Sequence, residues 1–465
     1  MSAPRSTSVQ LLGDLREVVG PAHVLTGEDL LASYTTDWTG RFAGTAVAVL
    51  RPADTAEVAG VLEVAARHGA AVIPQGGNTG LVGGSVPRPG LAGGRPQLVL
   101  STRRLSQLFE LDPSSHLLSA GAGTTLAQAA EAAQTAGLHP GIDLAARESA
   151  TLGGMVATNA GGLHVVRHGP MRARLAGVEA VLADGTVAAR LSGLAKDSVG
   201  WDLGALLAGS EGTLAVVTRV TVRLEATPVH RVAALVAVDE VSSAVDLVTG
   251  PLRRLASLEA AELTLAPGMS LVCETAGLAA PPAAGSARAW LTLEAAADDD
   301  PTDELARALA DPRVLEAAVA ADAAGRARLW AYRERHTEAI SRLGIPHKLD
   351  VSVRPGRLPA LVARLPDAVA KTAPGARLVV FGHLAEGNLH VNVLGPPPED
   401  DAVDDAVLRL VAELGGSISA EHGVGVAKAP WLRLARSGAE LEVMRRVKAA
   451  LDPGRLLNPG VLEPV

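Results

Sequence analysis

Five glycines within eleven residues make the segment PQGGNTGLVGG, residues 74–84, the most restrictive feature of this chain. It follows the short apolar run at 71–74, which predicts a buried strand. Glycine has no Cβ, so successive backbone N–H groups can turn together towards an anion such as a pyrophosphate. On its own, such a loop is as typical of a mobile surface turn as of a binding site.

Two further segments repeat the pattern in the same half of the chain. They are TLGGMVATNAGG, residues 151–162, and GSEGTLAVVT, residues 209–218. Three loops of this kind predict a long dinucleotide lying against the backbone. Two rival motifs fail, because Leu126 stands where a nicotinamide-binding fingerprint needs its third glycine and Ala208 where a nucleophile elbow needs its first.

Apolar periodicity predicts two α+β units divided near residue 227. The expected helices and strands are a helix over 54–68, strands over 71–74 and 97–101, a helix over 124–136, a hairpin over 178–187 with a two-residue turn at Asp184 and Gly185, a strand over 214–224, a helix over 330–339, a strand over 347–353 and a helix over 440–451. No internal repeat is visible.

The segment FGHLAEGNLHVNV, residues 381–393, indicates a metal site. If residues 385–388 form a hairpin loop, His383 stands opposite His390 with Cβ atoms ~5 Å apart, a workable span for two ligands of one metal. Asn392 shares that face. A single histidine here would more often be structural, and for the pair alone the two interpretations are evenly balanced.

A second polar segment, SAEHGVG at 419–425, can complete such a site. Glu421 would make a set of two histidines and a carboxylate, and His422 beside it could accept a proton. An ordinary charged loop remains an alternative for this short string.

Two cations are candidates for binding carboxylates. Arg333 and Thr337 stand at i and i+4 of the expected helix over 330–339, where a guanidinium and a hydroxyl can hold one carboxylate. Lys348 lies on the polar face of the strand over 347–353 and could bind a second. For both cations the alternative is an ion pair within the protein, and for Lys348 the partner would be Asp350.

Composition excludes several classes of protein. Lys and Arg total 42 and Asp and Glu 50, which gives a net charge of −8 and argues against a nucleic-acid groove. Cys273 is the only cysteine, so an internal disulfide or a cysteine-cluster metal site is impossible. No apolar run approaches the ~20 residues of a membrane span, and the opening residues lack a signal-peptide pattern. We therefore expect a cytoplasmic protein that is not transmembrane.

Taken in order, these motifs resemble one family, together with LADGT, KDSVGWDL (196–203) and LDPGRLLNPG (451–460). The chain resembles the FAD-dependent D-2-hydroxy-acid dehydrogenases of the vanillyl-alcohol oxidase/p-cresol methylhydroxylase superfamily, from about residue 45 to 460. The resemblance implies an α+β fold with a two-subdomain FAD-binding domain over 1–227. The resemblance implies next an α/β substrate and metal-binding (cap) domain over 228–430. It also implies a C-terminal segment over 431–465, which returns to the flavin.

The resemblance also implies residue roles. The expected FAD contacts are Pro74, Gln75, Gly76, Gly77, Asn78, Thr79, Gly80, Thr151, Gly154, Thr158, Gly161, Gly162, Glu211, Gly212 and Asn458. Members with covalent flavin carry a histidine where Asn78 stands, so non-covalent FAD is expected. The implied ligands of a divalent metal, zinc first and then manganese, iron or cobalt, are His383, His390 and Glu421. The implied substrate contacts are Arg333, Thr337, Lys348, Asn392 and His422, with His422 as the catalytic base.

The implied reaction is oxidation of a D-2-hydroxy acid to the 2-oxo acid, with hydride passing from Cα to flavin N5. Lys348 favours a dicarboxylate, D-2-hydroxyglutarate, because lactate-oxidising relatives usually lack a lysine there. The alternatives are a D-lactate or glycolate dehydrogenase on the same scaffold, a flavin-free metal hydrolase, and a non-catalytic electron-transfer subunit. The expected electron acceptor is an electron-transfer flavoprotein or a quinone, and a homodimer is the default assembly. His164 and His168 replace the Arg and Tyr that relatives more often carry, and AEG replaces GDG in the hairpin loop.

Overall fold

The computed structural model describes residues 4–463, with side chains from residue 9 onward. Its α-helices follow one another along the chain. They are α1 (Pro4–Val19), α2 (Glu28–Thr35), α3 (Thr55–Arg67), α4 (Leu126–Gln134), α5 (Leu152–Thr158), α6 (Val165–His168), α7 (Met171–Arg174), α8 (Leu203–Leu207), α9 (Val241–Thr249), α10 (Ala266–Ala276), α11 (Thr302–Leu309), α12 (Ala323–Glu334), α13 (His336–Ser341), α14 (Leu358–Thr372), α15 (Ala402–Glu413), α16 (Leu432–Ala435) and α17 (Gly438–Leu451).

The strands alternate with these helices. They are β1 (Val24–Leu25), β2 (Ala48–Leu50), β3 (Ala71–Gln75), β4 (Gln97–Ser101), β5 (Leu108–Asp112), β6 (Leu117–Gly121), β7 (Leu138–His139), β8 (Leu175–Val181), β9 (Val187–Arg190), β10 (Val216–Arg223), β11 (Glu225–Ala226), β12 (His230–Val238), β13 (Leu258–Leu265), β14 (Ala289–Ala297), β15 (Val314–Ala320), β16 (His347–Ser352), β17 (Arg377–His383) and β18 (Asn388–Leu394).

The described chain divides into two units. Unit 1 contains the described residues up to Gly161, then residues 170–227 and the described residues from Glu421 onward. Unit 2 contains residues 162–169 and 228–420. Among the described residues, no helix combines the length and the apolar character needed to cross a membrane.

Unit 1 is built on two main sheets. The first has the strand order β1-β2-β4-β3, in which β2, β4 and β3 run parallel and β1 is antiparallel at the edge. The second is antiparallel, with the order β5-β6-β10-β8-β9. Helices pack onto each sheet around a cluster of buried aliphatic residues, and Val181 of β8 and Val216 of β10 join the cluster of the first sheet. The unit thus contains two adjoining subdomains.

Local sequence signals account for most elements of unit 1. The helix expected over 54–68 is confirmed as α3, because the Asp54 carboxylate accepts a hydrogen bond from the Glu57 N–H and caps its first turn. The hairpin expected over 178–187 is also confirmed, but the prediction of a two-residue turn is wrong. Residues 182–186 separate β8 from β9, and the Leu182 N–H donates to the Thr186 carbonyl across this longer loop.

The C-terminal segment folds onto the first sheet. Leu457 forms a parallel bridge with Val72 of β3. The Lys448 ammonium of α17 donates to the Thr213 carbonyl at 2.7 Å and to the Leu457 carbonyl at 2.8 Å. These bonds fix the stretch that contains Asn458 beside the glycine-rich loops.

Unit 2 is built on a seven-stranded antiparallel sheet with the order β15-β12-β14-β13-β17-β18-β16. Helices α10, α12 and α13 pack against aliphatic and aromatic residues on one face of it, including Leu235, Trp290 and Phe381. The strand expected over 347–353 is confirmed as β16. Its Leu349 and Val351 are buried in the alternation that the sequence predicts.

The register of the histidine hairpin differs from the sequence-based prediction. His390 stands opposite Phe381, not opposite His383, because the loop between β17 and β18 covers residues 384–387. The shift is two residues along the strand, and a strand places alternate residues on the same face. The two histidines therefore still project from one face, with ring centroids 5.2 Å apart.

The single helix expected over 330–339 is also wrong. Helix α12 ends at Glu334, and α13 begins at His336 after the capping residue Arg335. The His336 Nδ1 lies 3.0 Å from the Arg333 carbonyl, so the imidazole donates to a group at the C-terminal end of α12. Arg333 and Thr337 consequently do not share one continuous helical face.

Candidate active site

The three glycine-rich loops lie together in unit 1. A Cβ on Gly76 would lie 2.3 Å from the Thr151 Oγ1, and a Cβ on Gly77 would lie 1.8 Å from the Ser149 carbonyl oxygen. Gly212 has a φ of 69°, and the position that a Cβ would take on it faces the Pro74 ring. Only glycine permits these approaches, so the first loop is held between the second and the third.

The first loop has the features of a phosphate-binding backbone. Residues 76–80 are all half-buried, and no described protein group accepts a hydrogen bond from their N–H groups. Buried N–H groups almost always have a partner, and a run of them pointing out of a tight turn binds anions. A pyrophosphate such as that of FAD fits this donor set.

Two side chains of this loop hold the loop itself. The Gln75 amide donates to the carbonyls of Tyr34 and Ser85 at 2.9 and 2.7 Å. The Asn78 amide donates to the carbonyls of Ser33 and Thr36, and its oxygen accepts from the Ser85 hydroxyl. The NH₂ groups of both side chains are therefore used within the protein.

The second loop opens α5. The Thr151 hydroxyl caps the helix by accepting from the Gly154 N–H, and the Thr158 hydroxyl donates to the Gly154 carbonyl. Gly161 closes this stretch of unit 1, and Gly162 begins the short piece of chain assigned to unit 2.

Glu211 ties the third loop to the C-terminal region. Its buried carboxylate accepts from the N–H groups of Val424 and Gly425 at 2.7 Å each. Burial raises its pKa to about 7, against the lowering effect of the two N–H donors. The Asn458 amide donates to the Glu211 carbonyl and to the Gly84 carbonyl, so it joins two glycine-rich loops.

His383 lies in a buried charged network of unit 2. Glu262 stands opposite His383 in the β13–β17 ladder, and its Oε1 lies 2.6 Å from the His383 Nδ1. The Arg333 Nε donates to the other carboxylate oxygen at 2.7 Å, and the guanidinium lies over the Phe381 ring. Burial would raise the pKa of Glu262, but His383 and Arg333 beside it lower it to about 2.

Sequence reasoning missed Glu262 as a candidate for this site. Strand β13 has the sequence LEAAELTL, and Glu262 is one of two glutamates among its mostly apolar residues. A glutamate in such an apolar strand, here only 1% exposed, is the signal that could have found it. Arg333 is paired within the protein, as the alternative interpretation holds. That pairing uses Nε, however, and no described residue accepts from its Nη1 and Nη2 groups.

The second histidine has acidic and amide neighbours. The His390 Nδ1 lies 3.6 Å from the Asp350 carboxylate, beyond hydrogen-bonding distance. That carboxylate accepts hydrogen bonds from the Asn388 amide and from the Ala420 N–H. Asn392 is buried, and its NH₂ group donates to backbone carbonyls, so its amide oxygen is the atom left for a ligand.

Lys348 faces Asn392 across the β16–β18 ladder, on the sheet face that carries His390 and Asp350. The side chain is half-buried, and burial lowers the pKa of its ammonium. Thr337 is half-buried near the start of α13.

Glu421 and His422 follow Ala420 directly in the chain, at the point where it returns to unit 1. The His422 Nε2 and the Glu421 Oε1 lie 3.4 Å apart. Downstream of this pair, Glu211 holds the backbone of Val424 and Gly425.

Within unit 2, His383 and His390 fit a divalent metal. An ionised carboxylate only accepts hydrogen bonds, so the proton of His383 facing Glu262 sits on Nδ1 and leaves Nε2 with a lone pair. Metal-bound histidines usually have such a carboxylate behind them. The chemistry of this donor set therefore suits the metal that the sequence predicts.

A second cluster in unit 2 already contains a cationic side chain. His164, Glu259 and Glu294 offer possible ligand atoms within 4.8 Å of one another. Arg231 donates to both carboxylates, and the Trp330 indole donates to Glu294. This guanidinium occupies the place that a cation would take.

Comparison with known proteins agrees with this arrangement. Residues 46–189 match the FAD binding domain family, and residues 227–462 match the C-terminal domain of FAD linked oxidases. The D-2-hydroxyglutarate dehydrogenase of Xanthomonas citri pv. viticola is 35% identical, covering 99% of this chain and 97% of its own. The mitochondrial D-2-hydroxyglutarate dehydrogenase of Bos taurus is 36% identical, covering 95% of this chain and 81% of its own.

The chain belongs to the FAD-dependent D-2-hydroxy-acid dehydrogenases.

Solved structures place this dehydrogenase in the expected fold. It matches p-cresol methylhydroxylase with a TM-score of 0.80 at 16% identity, over 100% of this chain and 98% of that one. An alkyldihydroxyacetonephosphate synthase matches with a TM-score of 0.73 at 14% identity, over 97% of this chain and 84% of that one. At such identities the likeness concerns the fold alone, and it confirms an FAD-binding domain of p-cresol methylhydroxylase type with a second, C-terminal domain.

Proposed function

We propose that this dehydrogenase oxidises D-2-hydroxyglutarate to 2-oxoglutarate with FAD and a divalent metal. The observation that carries the choice of substrate is the half-buried Lys348, which lies on the face of β16 that also bears Asp350. An ammonium on this face can bind the distal carboxylate of a dicarboxylic acid through a charge-assisted hydrogen bond. The names of the relatives favour the same substrate.

The family matches over 46–189 and 227–462 support a division of roles between domains. Residues 1–227 bind non-covalent FAD, residues 228–430 bind substrate and metal, and residues 431–465 return to the FAD domain. The proposed FAD contacts are the backbone of residues 74–80, together with Thr151, Gly154, Thr158, Gly161, Gly162, Glu211, Gly212 and Asn458.

The proposed metal ligands are His383, His390 and Glu421, with zinc as the first choice. Histidine and carboxylate ligands also suit manganese, iron and cobalt. When bound, FAD supplies a hydride acceptor, and the metal supplies a Lewis acid that makes a hydroxyl more acidic.

The side chains of the protein bind the substrate and move its proton. Arg333, through its Nη groups, and Thr337 hold the carboxylate next to the reacting carbon, while Lys348 and the Asn392 oxygen hold the distal end. Two fixed ends present one face of Cα and so select the D isomer. His422 accepts the proton of the α-hydroxyl as the hydride leaves Cα, which balances the two-electron oxidation.

The reduced flavin has to be reoxidised by a second substrate. We propose an electron-transfer flavoprotein or a quinone in the cytoplasm for this half-reaction, and a homodimer as the assembly.

Replacement of Lys348 by Ala tests the choice of substrate. We expect kcat/KM for D-2-hydroxyglutarate and D-malate to fall roughly 10- to 100-fold, the value of a lost charge-assisted hydrogen bond. D-Lactate, which has no distal carboxylate, should change by less than about threefold. The matched control is Lys371→Ala, on an exposed lysine of α14.

Equal losses on both kinds of substrate would contradict the role of Lys348. A wild-type enzyme that prefers D-lactate or glycolate would keep the fold and chemistry and move the substrate to that alternative.

A further inference from the structure

Glu262 contacts two groups that have separate tasks in the proposed function. Its Oε1 accepts from the His383 Nδ1 at 2.6 Å, and its Oε2 accepts from the Arg333 Nε at 2.7 Å. The carboxylate is 1% exposed, so water cannot replace either partner. One buried group thus sits behind both a proposed metal ligand and a proposed carboxylate-binding cation.

The strand ladder explains why Glu262 reaches His383. The two residues are paired across β13 and β17, although 121 positions separate them in the chain. Their side chains project from the same face, where cross-strand neighbours lie within hydrogen-bonding reach. Helix α12, packed on this face, brings Arg333 to the second oxygen.

Each contact fixes the orientation of its partner. The bond to Nδ1 sets the tautomer of His383 and aims Nε2 away from Glu262, which is how a carboxylate behind a histidine prepares it as a ligand. The bond to Nε leaves both Nη groups of Arg333, the forked end that binds a carboxylate in two places. Stacking of the guanidinium 4.5 Å above the Phe381 ring holds the plane of that fork.

We propose that Glu262 is a positioning residue that orients His383 for the metal and Arg333 for the substrate carboxylate, so that both kinds of binding depend on one carboxylate. The inference deepens the proposed function and rests on it. A positioning role differs from a purely structural one. The loss of a structural glutamate would lower the stability of the protein without specifically changing its affinity for a metal ion.

The test is Glu262→Gln in the full-length FAD-bound protein. The amide keeps the size of the side chain and removes the charge and one acceptor. We expect the dissociation constant for Zn²⁺, measured by competition with a chelator, to rise roughly 10- to 100-fold. The KM for the D-2-hydroxy acid should rise as well, while the flavin absorption spectrum stays unchanged.

The matched control is Glu294→Gln. Glu294 is another buried glutamate on the adjacent strand β14, and it bonds Arg231 and Trp330 rather than His383 or Arg333. Its replacement should leave the Zn²⁺ affinity within about threefold of wild type. Glu262→Asp keeps the charge but shortens the side chain by one methylene group, and we expect an intermediate loss of Zn²⁺ affinity.

Wild-type Zn²⁺ affinity in Glu262→Gln would overturn the inference. If that variant does not fold, wild-type Zn²⁺ affinity in Glu262→Asp overturns it instead, and weakened affinity supports it. Failure of the proposed function looks different, since the wild-type protein would then bind Zn²⁺ but its flavin would not be reduced by any D-2-hydroxy acid.

Discussion

Single residues carry the proposed chemistry, and their neighbours decide which atoms remain available for it. Gln75 and Asn78 use their amides to hold the first glycine-rich loop. The Asn392 NH₂ and the Arg333 Nε are likewise bonded within the protein. The atoms left for ligands include the backbone N–H groups of residues 76–80, the Asn392 oxygen and the Arg333 Nη groups, and these atoms limit the roles that sequence alone suggests.

Replacement of His422 by Asn tests the proposed base. Asparagine can keep a hydrogen bond but cannot accept the hydroxyl proton, so we expect kcat to fall on the order of 10²- to 10⁴-fold with a smaller change in KM. Stopped-flow reduction of the flavin would measure the chemical step directly. A variant that reduces its flavin at nearly the wild-type rate would remove His422 from that role.

His336 predicts how stability depends on pH. It is fully buried, and no described group bonds its Nε2. Burial, helped by the charge of Arg333, lowers its pKa to about 3 from the ordinary 6.5. The fold thus favours the neutral imidazole, and this contribution to stability is fully present above pH 6.5 and is lost as the pH falls from there towards 3.

Replacement of His336 by Leu should remove that loss. At pH 4.5 the difference in stability between variant and wild type should exceed the difference at pH 8 by about 3 kcal/mol, from two pH units at 1.36 kcal/mol each. Urea unfolding midpoints at the two pH values measure it, with His230→Leu on an exposed histidine as control. The same difference in stability between variant and wild type at both pH values would contradict the account.

At the scale of elements, the sequence predicts local structure well and long-range geometry less well. Helix α3 and strands β3, β4 and β16 follow from capping residues and apolar patterns within about fifteen residues. The predicted register of the histidine hairpin is wrong, because the number of residues in its loop depends on where the two paired strands end. The helix break after Glu334 is accompanied by a bond from the His336 side chain to the Arg333 carbonyl, which the apolar pattern does not reveal.

The site residues divide in the same way. Those in compact motifs, such as Gly76, Gly77, His383 and His390, are visible in the sequence. Glu262 is not, because its partnership with His383 depends on sheet pairing across 121 positions. Pairing of that range has no local pattern that sequence reasoning could use.

The contact between the first glycine-rich loop and Ser149, two residues before the second loop, predicts a specific defect. In Gly77→Ala the new Cβ would lie 1.8 Å from the Ser149 carbonyl oxygen, so the two loops have to separate. We expect a destabilisation of about 1–3 kcal/mol and a lower ratio of FAD to protein after purification. Gly13→Ala in α1, where a Cβ meets nothing within 4 Å, is the control and should keep full flavin content. Full flavin content in Gly77→Ala would contradict the role of this loop contact.

On the scale of the whole molecule, the proposed function assigns different parts of the reaction to the two units. Unit 1 has the glycine-rich loops that fit a pyrophosphate, and unit 2 has the histidine pair, Arg333 and Lys348. Family matches over 46–189 and 227–462 follow the same order along the chain. The central claim is therefore that one chain combines flavin chemistry with recognition of a dicarboxylic D-2-hydroxy acid.

Anaerobic titration of the purified protein tests this claim most directly. D-2-Hydroxyglutarate, D-malate, D-lactate and L-2-hydroxyglutarate are added in turn, and the flavin absorption band is followed. The account predicts rapid bleaching by the two D-dicarboxylates, weak bleaching by D-lactate and none by the L isomer. A yellow protein that D-lactate bleaches and D-2-hydroxyglutarate does not would contradict it.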